Sequence, residues 1–292
     1  MKYRVHKPFK VRKRSYKIPK GVSKEETELC NTIHLDFPNL PIYRSNRQVL
    51  HGKEIDIWMP TIKVGIEYDG LAFHSSDSKD PSYHLYKTLE CEKQGIRLIH
   101  IFSDEWETKK PLVVDLVRKT LGKYQTIEAK DCSIYPIGKK EGKYFIDNSD
   151  LLGDCLESTN YLALKYINDI VGVMSYHEED DTIIIDRYTE RRTIKIKDGL
   201  KKCLEGFEDK NLETRIDRRL YTGDDFLSCG FIKTKATPPN FYYTMDFQER
   251  ISPEVLKLTE AQSKAQGILK IWDCGEIVMN RFKDLNLELN IT

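Results

Sequence analysis

The spacing of apolar and polar positions divides the chain into segments of different period. Residues 24–36, with Phe37 just beyond, set Leu29, Ile33 and Phe37 at helical spacing, with Ser23 as N-cap and Glu26 three residues on. Phe37 to Arg47 holds two prolines and reads as a connector. Residues 54–59 and 63–69 alternate with a period of two and predict a β-hairpin turning at Met59-Pro60-Thr61. A short extended run, Leu71 to Ser75, and a polar loop, Ser76 to Pro81, follow. Tyr83 to Gln94 predicts a helix closed by Gly95, Ile96 to Phe102 a buried strand, and Leu112 to Leu121 a helix ending at Gly122. This α-β-β-β-α-β-α order implies a compact α/β domain.

A charged, glycine-bearing stretch from Lys130 to Lys143 then interrupts the pattern. It suggests a basic arm over 1–22, a first domain over 23–128, a linker over 129–143 and a second α/β domain over 144–292. In the second domain, strands are predicted at 161–166 and 170–176 around Asn168-Asp169. Another follows at 182–188, after the acidic turn Glu178 to Asp181, and a helix spans about 197–206. No internal repeat is evident.

Composition narrows the class. At 39% hydrophobic and 32% charged, the 292 residues describe a globular chain rather than a disordered one. No run reaches the ~18 apolar residues of a membrane helix, and the basic N-terminus lacks an apolar core segment. Seven scattered cysteines, none in a CxxC pair, argue against a disulfide framework or zinc finger and point to a reducing cytoplasm. The net charge of +1 hides an asymmetry. Residues 1–20 carry nine basic and no acidic groups, whereas the remainder carries 38 basic and 46 acidic ones, or −8. Such an arm, with Tyr3, Phe9 and Tyr16, reads as a tether for a polyanion or as a solvated or targeting tail.

The hairpin carries the candidate chemistry. Alternation puts Glu54, Asp56 and Trp58 on one face of its first strand, and Gly65, Glu67 and Asp69 on one face of its second. If the apolar faces share a core, Glu54, Asp56, Glu67 and Asp69 converge on the opposite side. Clustered carboxylates repel, and a divalent cation relieves them; hard oxygen ligands favour Mg2+, with Mn2+ as a substitute. The competing reading is a solvent-facing hairpin whose acids simply alternate outward. Against it, the acids of the second strand interrupt an otherwise apolar segment, His74 follows Asp69 by five residues, and the next helix presents His84 and Lys87 three apart.

The ordered set Lys53-Glu54-Ile55-Asp56-Ile57, Gly65 to His74, Tyr83-His84, Gly95 to Phe102 and Glu105-Trp106 resembles a known nuclease group. It is similar to the very-short-patch-repair-like branch of the PD-(D/E)XK nucleases, and within it to the EDxHD homing endonucleases of phages and introns. The resemblance covers about residues 40–110. It implies a restriction-endonuclease-like mixed sheet flanked by helices over 23–128, with Asp56 as principal metal ligand and His74 as base or proton shuttle. Asp56, Glu67 and Asp69 would hold the metal. Asp69 stands where the motif has lysine, so His74, His84 or Lys87 would fill that role.

The second half adds Arg215, Arg218 and Arg219, the segment Tyr221 to Leu227, the run Pro238-Pro239-Asn240-Phe241-Tyr242-Tyr243, and Ile271-Trp272-Asp273-Cys274-Gly275. This looks like the carboxy-terminal region attached to phage endonucleases of several catalytic types. Its strand-strand-helix order is also loosely like an acetyltransferase fold, but no phosphate-cradling glycine loop is evident near Lys197 to Lys202. The DNA contacts expected on this reading are Arg12, Lys13, Arg14, Arg47, Arg215, Arg218, Arg219 and Tyr242. The alternative is that the second-half arginines pair with the abundant acids. The expectation is therefore a Mg2+-dependent endonuclease hydrolysing double-stranded DNA in the host cytoplasm. A nicking enzyme of repair or defence, or an inactive nucleic-acid-binding protein, is the alternative.

Overall fold

The computed structural model describes residues 23–76 and 78–283. The basic arm, with Arg12, Lys13 and Arg14, lies outside them. Along the chain the elements begin α1 (Lys24–Asp36), β1 (Tyr43–Leu50), β2 (Lys53–Met59), β3 (Val64–Asp69), α2 (Tyr83–Glu92), β4 (Arg97–Phe102), α3 (Ser103–Thr120), β5 (Gln125–Glu128), β6 (Cys132–Pro136), α4 (Lys139–Asp147), β7 (Asn160–Tyr166) and β8 (Asp169–Glu179). They continue β9 (Thr182–Glu190), β10 (Ile194–Lys197), α5 (Gly199–Cys203), β11 (Asn211–Asp217), α6 (Asp224–Leu227), β12 (Ile232–Ala236), β13 (Phe241–Thr244), α7 (Pro253–Leu256), α8 (Glu260–Ala265), β14 (Leu269–Trp272) and β15 (Glu276–Arg281).

These elements form two compact units. The first comprises the chain up to His34, Asn39–Thr108 and Pro239–Cys274; the second comprises Leu35–Pro38, Lys109–Pro238 and the chain from Gly275. The first unit is thus built from separated stretches of sequence, and residues 239–274 return to it.

In the first unit, β1-β2-β3-β4 form one sheet, antiparallel except for the parallel β3–β4 pair. The connector expected over residues 37–47 contains the start of β1, because Arg44 and Asn46, one exposed and one half-buried, pair with Ile57 and Ile55 despite their polar side chains. The β2–β3 turn occupies Pro60 to Lys63, where Lys63 takes φ 52° and its N–H donates to the Pro60 carbonyl at 3.2 Å. Register Ile57↔Ile66 puts these two fully buried side chains on one face, whereas Ile55, also fully buried, lies beside Gly65 and Leu98 on the other. Leu50, Ile55, Trp58, Cys91, Ile96 and Leu98 form one core cluster.

The run after β3 is not extended. The N–H groups of Phe73 and His74 both donate to the Gly70 carbonyl, at 2.9 and 3.2 Å, and this turn folds His74 back toward the end of β3. A Cβ on Gly70 would lie 3.2 Å from the Phe73 ring, so the glycine relieves crowding in a reversal that the alternation pattern did not announce. Helix α3 begins earlier than predicted, at Ser103, and is interrupted at Lys109 (φ −128°). Pro111 has no N–H to offer the Glu107 carbonyl, so the ladder cannot run through.

The returning stretch pairs β13 with β14. Leu71, Phe102 and Ile271 share a buried cluster, Ser75 bridges to Ile271, and the Ser76 N–H donates to the Lys270 carbonyl at 2.8 Å. Arg250 ties the same stretch down, with Nε 3.0 Å from Asp104 and its terminal nitrogen 2.8 Å from Glu105, over the ring of Phe102.

The second unit holds the largest sheet, seven strands in the order β12-β15-β11-β9-β8-β7-β6. The meander β6 to β9 is antiparallel, whereas β9 and β11 run parallel and pair only over Thr182–Ile185 and Asn211–Thr214. Its core gathers Leu164, Met174, Ile185, Ile196, Leu212, Phe231 and Met279. The predicted strands of this half correspond to β7, β8 and β9, whereas the helix expected over 197–206 shortens to α5. Gly275 stands where β15 is about to begin, at φ +68°, and an added Cβ would lie 2.6 Å from the Thr237 carbonyl oxygen and 2.7 Å from that of Pro238. Gly275→Ala combines left-handed strain with a backbone clash. It should lower unfolding free energy by roughly 1–3 kcal/mol, read as a reduced urea midpoint with an unchanged m-value.

Candidate functional site

Strand pairing in the first unit brings the candidate residues together. Register Glu67↔His100 and Asp69↔Phe102 sets the β3 acids beside β4, and α2 lays Lys87, Thr88 and His84 across them. Glu67, Asp69, His84, Lys87, Thr88 and His100 are all buried, at 3% exposure or less. Asp56 and His74 are the partly exposed members and form the approach from solvent.

Asp69 is the centre of an imidazole cluster. His100 Nδ1 lies 2.9 Å from its Oδ2, and His74 Nδ1 and His84 Nε2 lie 3.2 and 3.4 Å from its Oδ1. The three rings hold the Asp69 carboxyl well below the usual carboxylate range, against the opposing effect of burial. Burial dominates for the rings themselves: it pulls His74 down to about 3 and His100 down to about 4 although Asp69 opposes it. His74 and His84 stack, with centroids 4.9 Å apart and Nδ1 to Nε2 at 2.7 Å. His84 Nδ1 reaches the Trp272 carbonyl at 2.7 Å, and His100 Nε2 meets Thr88 Oγ1 at 3.0 Å, which in turn lies 3.3 Å from Cys274 Sγ.

Glu67 and Asp56 make the second half of the site. Lys87 Nζ donates to Glu67 Oε2, and Glu67 Oε1 is buried without a hydrogen-bond partner. Burial and the neighbouring Asp56 carboxylate push Glu67 well above its ordinary value, while Lys87, whose own value is raised by Glu67, opposes the shift. Asp56 Oδ2 accepts from the Tyr68 N–H at 2.8 Å. Burial pushes Asp56 up to about 7, with the Tyr68 N–H and Lys87 opposing.

The structure therefore brings Asp56, Glu67, Asp69, His74, His84 and Lys87 into one site. Glu54, the fourth acid of the face, pairs instead with Arg47 at 2.6 Å. His100 and Thr88 join the site without having been singled out from the sequence, and Trp272 and Cys274 join it although the run Ile271 to Gly275 was read as part of a carboxy-terminal region and not of this site. Their signal is weak: His100 sits in an unbroken apolar strand, and Cys274 meets Thr88 across 186 residues.

The expected Mg2+ site is corrected on chemical grounds. The carboxylate repulsion that called for a dication is answered by Lys87 on Glu67 and by three imidazoles on Asp69, and the site is not an all-oxygen set. Asp69, His84 and His100 each offer a ligand atom within 4.8 Å of one another, a nitrogen–oxygen set suited to a transition metal. Of these atoms, Asp69 Oδ2 accepts from His100 Nδ1–H, whereas Asp69 Oδ1, like Glu67 Oε1, is buried without a hydrogen-bond partner.

Of the arginines expected to meet DNA, Arg215 and Arg219 have acidic neighbours within the second unit, and Arg47 pairs with Glu54 in the first. Arg219 is buried beside Asp217, its backbone N–H donating to the Asp217 carboxylate at 2.8 Å and its guanidinium 3.7 Å away, and Arg215 lies 3.5 Å from Glu213. In the first unit, Tyr242 lies under the Arg250 guanidinium at 5.2 Å. In the second unit a separate polar cluster is internally satisfied: Ser158 donates to Asp186 at 2.9 Å, and His177 Nδ1 lies 3.0 Å from the same carboxylate. No helix among the described residues is long and apolar enough to cross a membrane.

No family profile and no curated protein matches the chain. Among solved structures, it is similar to a GNAT family acetyltransferase from Bacillus cereus ATCC 10987, at 12% identity and TM-score 0.30, covering 52% of this chain and 96% of that one. It is similar to an IAA acetyltransferase from Bacillus cereus ATCC 14579 (16% identity, TM-score 0.34, 51% and 97% covered). A GNAT family acetyltransferase from Elizabethkingia anophelis with acetyl-CoA bound is similar too (18% identity, TM-score 0.33, 52% and 98% covered). At these scores the likeness carries no activity or ligand to this chain. All three are acetyltransferases and none is a nuclease. The resemblance to EDxHD and very-short-patch-repair-like nucleases finds no support among them and is withdrawn. With it go the restriction-endonuclease-like fold, the metal-dependent DNA endonuclease, Mg2+ or Mn2+ as cofactor and double-stranded DNA as partner. What stands is an α/β architecture of mixed sheets flanked by helices.

Removing Lys87 tests the charge balance. Lys87→Met should cost about 3 kcal/mol because Glu67 is left buried and unpaired, and Lys87→Met with Glu67→Gln should recover much of it. Glu67 is raised, so the fold favours its neutral form and loses stability as pH rises toward its folded value. The Lys87→Met deficit should therefore be larger at pH 9 than at pH 5 in urea denaturation.

Proposed function

We propose that the first unit carries an acid–base catalytic centre for hydrolysis, with His74 as general base and Asp56 as general acid. The observation that supports it is the opposite displacement of these two groups at the solvent edge of one cluster: the imidazole falls to about 3 and the carboxyl rises to about 7. At mildly acidic pH the ring is a free base while the carboxyl still carries its proton. Two titratable groups driven apart by their surroundings divide the roles of acid and base between them.

His74 takes the proton of a water, and the imidazolium so formed is stabilised by the Asp69 carboxylate 3.2 Å away. Asp56 gives its proton to the leaving group. Lys87 bonds Glu67 beside Asp56, and the Lys87 ammonium stabilises the Asp56 carboxylate once the proton has left. Asp69, His84 and His100 keep the base in place. An ester-type electrophile, whose leaving oxygen needs a proton, suits this arrangement.

The test uses p-nitrophenyl acetate and p-nitrophenyl phosphate with the full chain, followed from pH 3 to 9. The value of kcat/KM should rise through pH ~3 as His74 loses its proton and fall above pH ~7 as Asp56 loses its own. His74→Ala should cost on the order of 10²–10⁴-fold, and Asp56→Asn should lower the rate and abolish the alkaline limb. Absence of turnover on both substrates, or equal turnover by wild type and His74→Ala, sinks the proposal.

A further inference from the structure

The proposed base has to present a bare ring nitrogen to solvent, and the structure contains a chain of hydrogen bonds that decides which nitrogen is bare. It begins at the Trp272 carbonyl, on the returning stretch of the first unit. A carbonyl only accepts, so the 2.7 Å contact with His84 Nδ1 requires the His84 proton to sit on Nδ1. In the neutral ring, Nε2 is then an acceptor. His74 Nδ1, 2.7 Å from that Nε2, must be the donor, and this places the His74 proton on Nδ1 and leaves its Nε2 bare.

Asp69 does not replace His84 in this task. Its Oδ1 is buried and has no hydrogen-bond partner, so the 3.2 Å approach of His74 Nδ1 is an electrostatic contact outside hydrogen-bond alignment. Asp69 stabilises charge on His74; His84 decides where the His74 proton resides. Asp69 itself is held from its other side, where His100 Nδ1–H donates to Oδ2 at 2.9 Å, the Thr88 hydroxyl donates to His100 Nε2, and the Cys274 thiol is left as donor toward Thr88. The segment Trp272–Cys274 thus touches the cluster at two points, once through a backbone carbonyl and once through a thiol.

We propose that the Trp272 carbonyl fixes the tautomer of His84 and, through it, the tautomer of His74, which makes His84 a positioning residue and the returning segment the element that keeps His74 in its base form. Were the His84 proton on Nε2, His74 Nδ1 would have to accept, its own proton would move to Nε2, and that nitrogen would carry a donor instead of a lone pair. The functional meaning of this assignment rests on the acid–base reading above, but the assignment is measurable without any substrate.

The experiment is long-range 1H–15N NMR of the histidine rings in the full chain at pH 7. Both His84 and His74 should show a protonated Nδ1 and a bare Nε2, and a through-hydrogen-bond 15N–15N coupling should join His74 Nδ1 to His84 Nε2. His84→Gln, whose side-chain oxygen can stand in for the acceptor Nε2, should preserve the single His74 tautomer. His84→Leu should leave His74 as a mixture of both. On p-nitrophenyl acetate, Leu should lower kcat about 10-fold or more with little change in KM, and Gln should restore part of it. A wild-type His84 protonated on Nε2 overturns the assignment, as does a His74 tautomer unmoved in His84→Leu. If the NMR pattern holds and no hydrolysis is found, the acid–base function fails while the tautomer relay stands.

Discussion

A carboxylate with no exposure to water has to be compensated where it sits, and Asp69 is such a group. Three imidazoles converge on it, from the turn after β3, from α2 and from β4. Each of these elements is fixed by a different device: the Gly70 turn for His74, the helical phase of α2 for His84, and parallel pairing with β3 for His100. A change that shifts any of the three relative to β3 uncovers the charge. The need to keep Asp69 compensated therefore constrains the packing of the β3 end of the first unit more tightly than its apolar contacts alone would.

The second buried pair, Glu67 with Lys87, follows the same logic with different chemistry. Lysine is a compact charge beside one acid, whereas the imidazoles around Asp69, pulled toward their neutral forms by burial, act through ring N–H groups and can pass protons. The site is thereby divided into a fixed electrostatic half and a half capable of proton traffic. Asp56 lies within reach of both fields, which is why burial can raise it close to neutrality without taking it out of contact with solvent.

Much of the first unit was legible because period-two alternation is a local signal: β2, β3 and the convergence of their acids follow from residues 54–69 alone. The inference from that convergence to a dication failed because compensation came from side chains whose partners are remote in sequence. His100 lies 31 residues from Asp69, and Lys87 lies 20 from Glu67. β1 was hidden by exposed polar residues at an edge position, and the early start of α3 by Pro111. β10 and β12 of the second unit and β14 of the first have only four or five residues, too few for periodicity to show, and β12 is exposed throughout. The return of residues 239–274 to the first unit could not be read from local pattern, because it is carried by contacts such as Arg250 with Asp104.

That return has a consequence for how the molecule comes into being. During synthesis, Asp69, His74, His84 and His100 all emerge well before Trp272 and Cys274, and nearly the whole of the second unit is made in between. Domains generally fold as units while the chain lengthens, but here the earlier unit waits for its last segment. Until residue 274 has cleared the ribosome, the ring of His84 lacks the carbonyl that orients it, and the nascent chain carries its acid–base residues in an unset state.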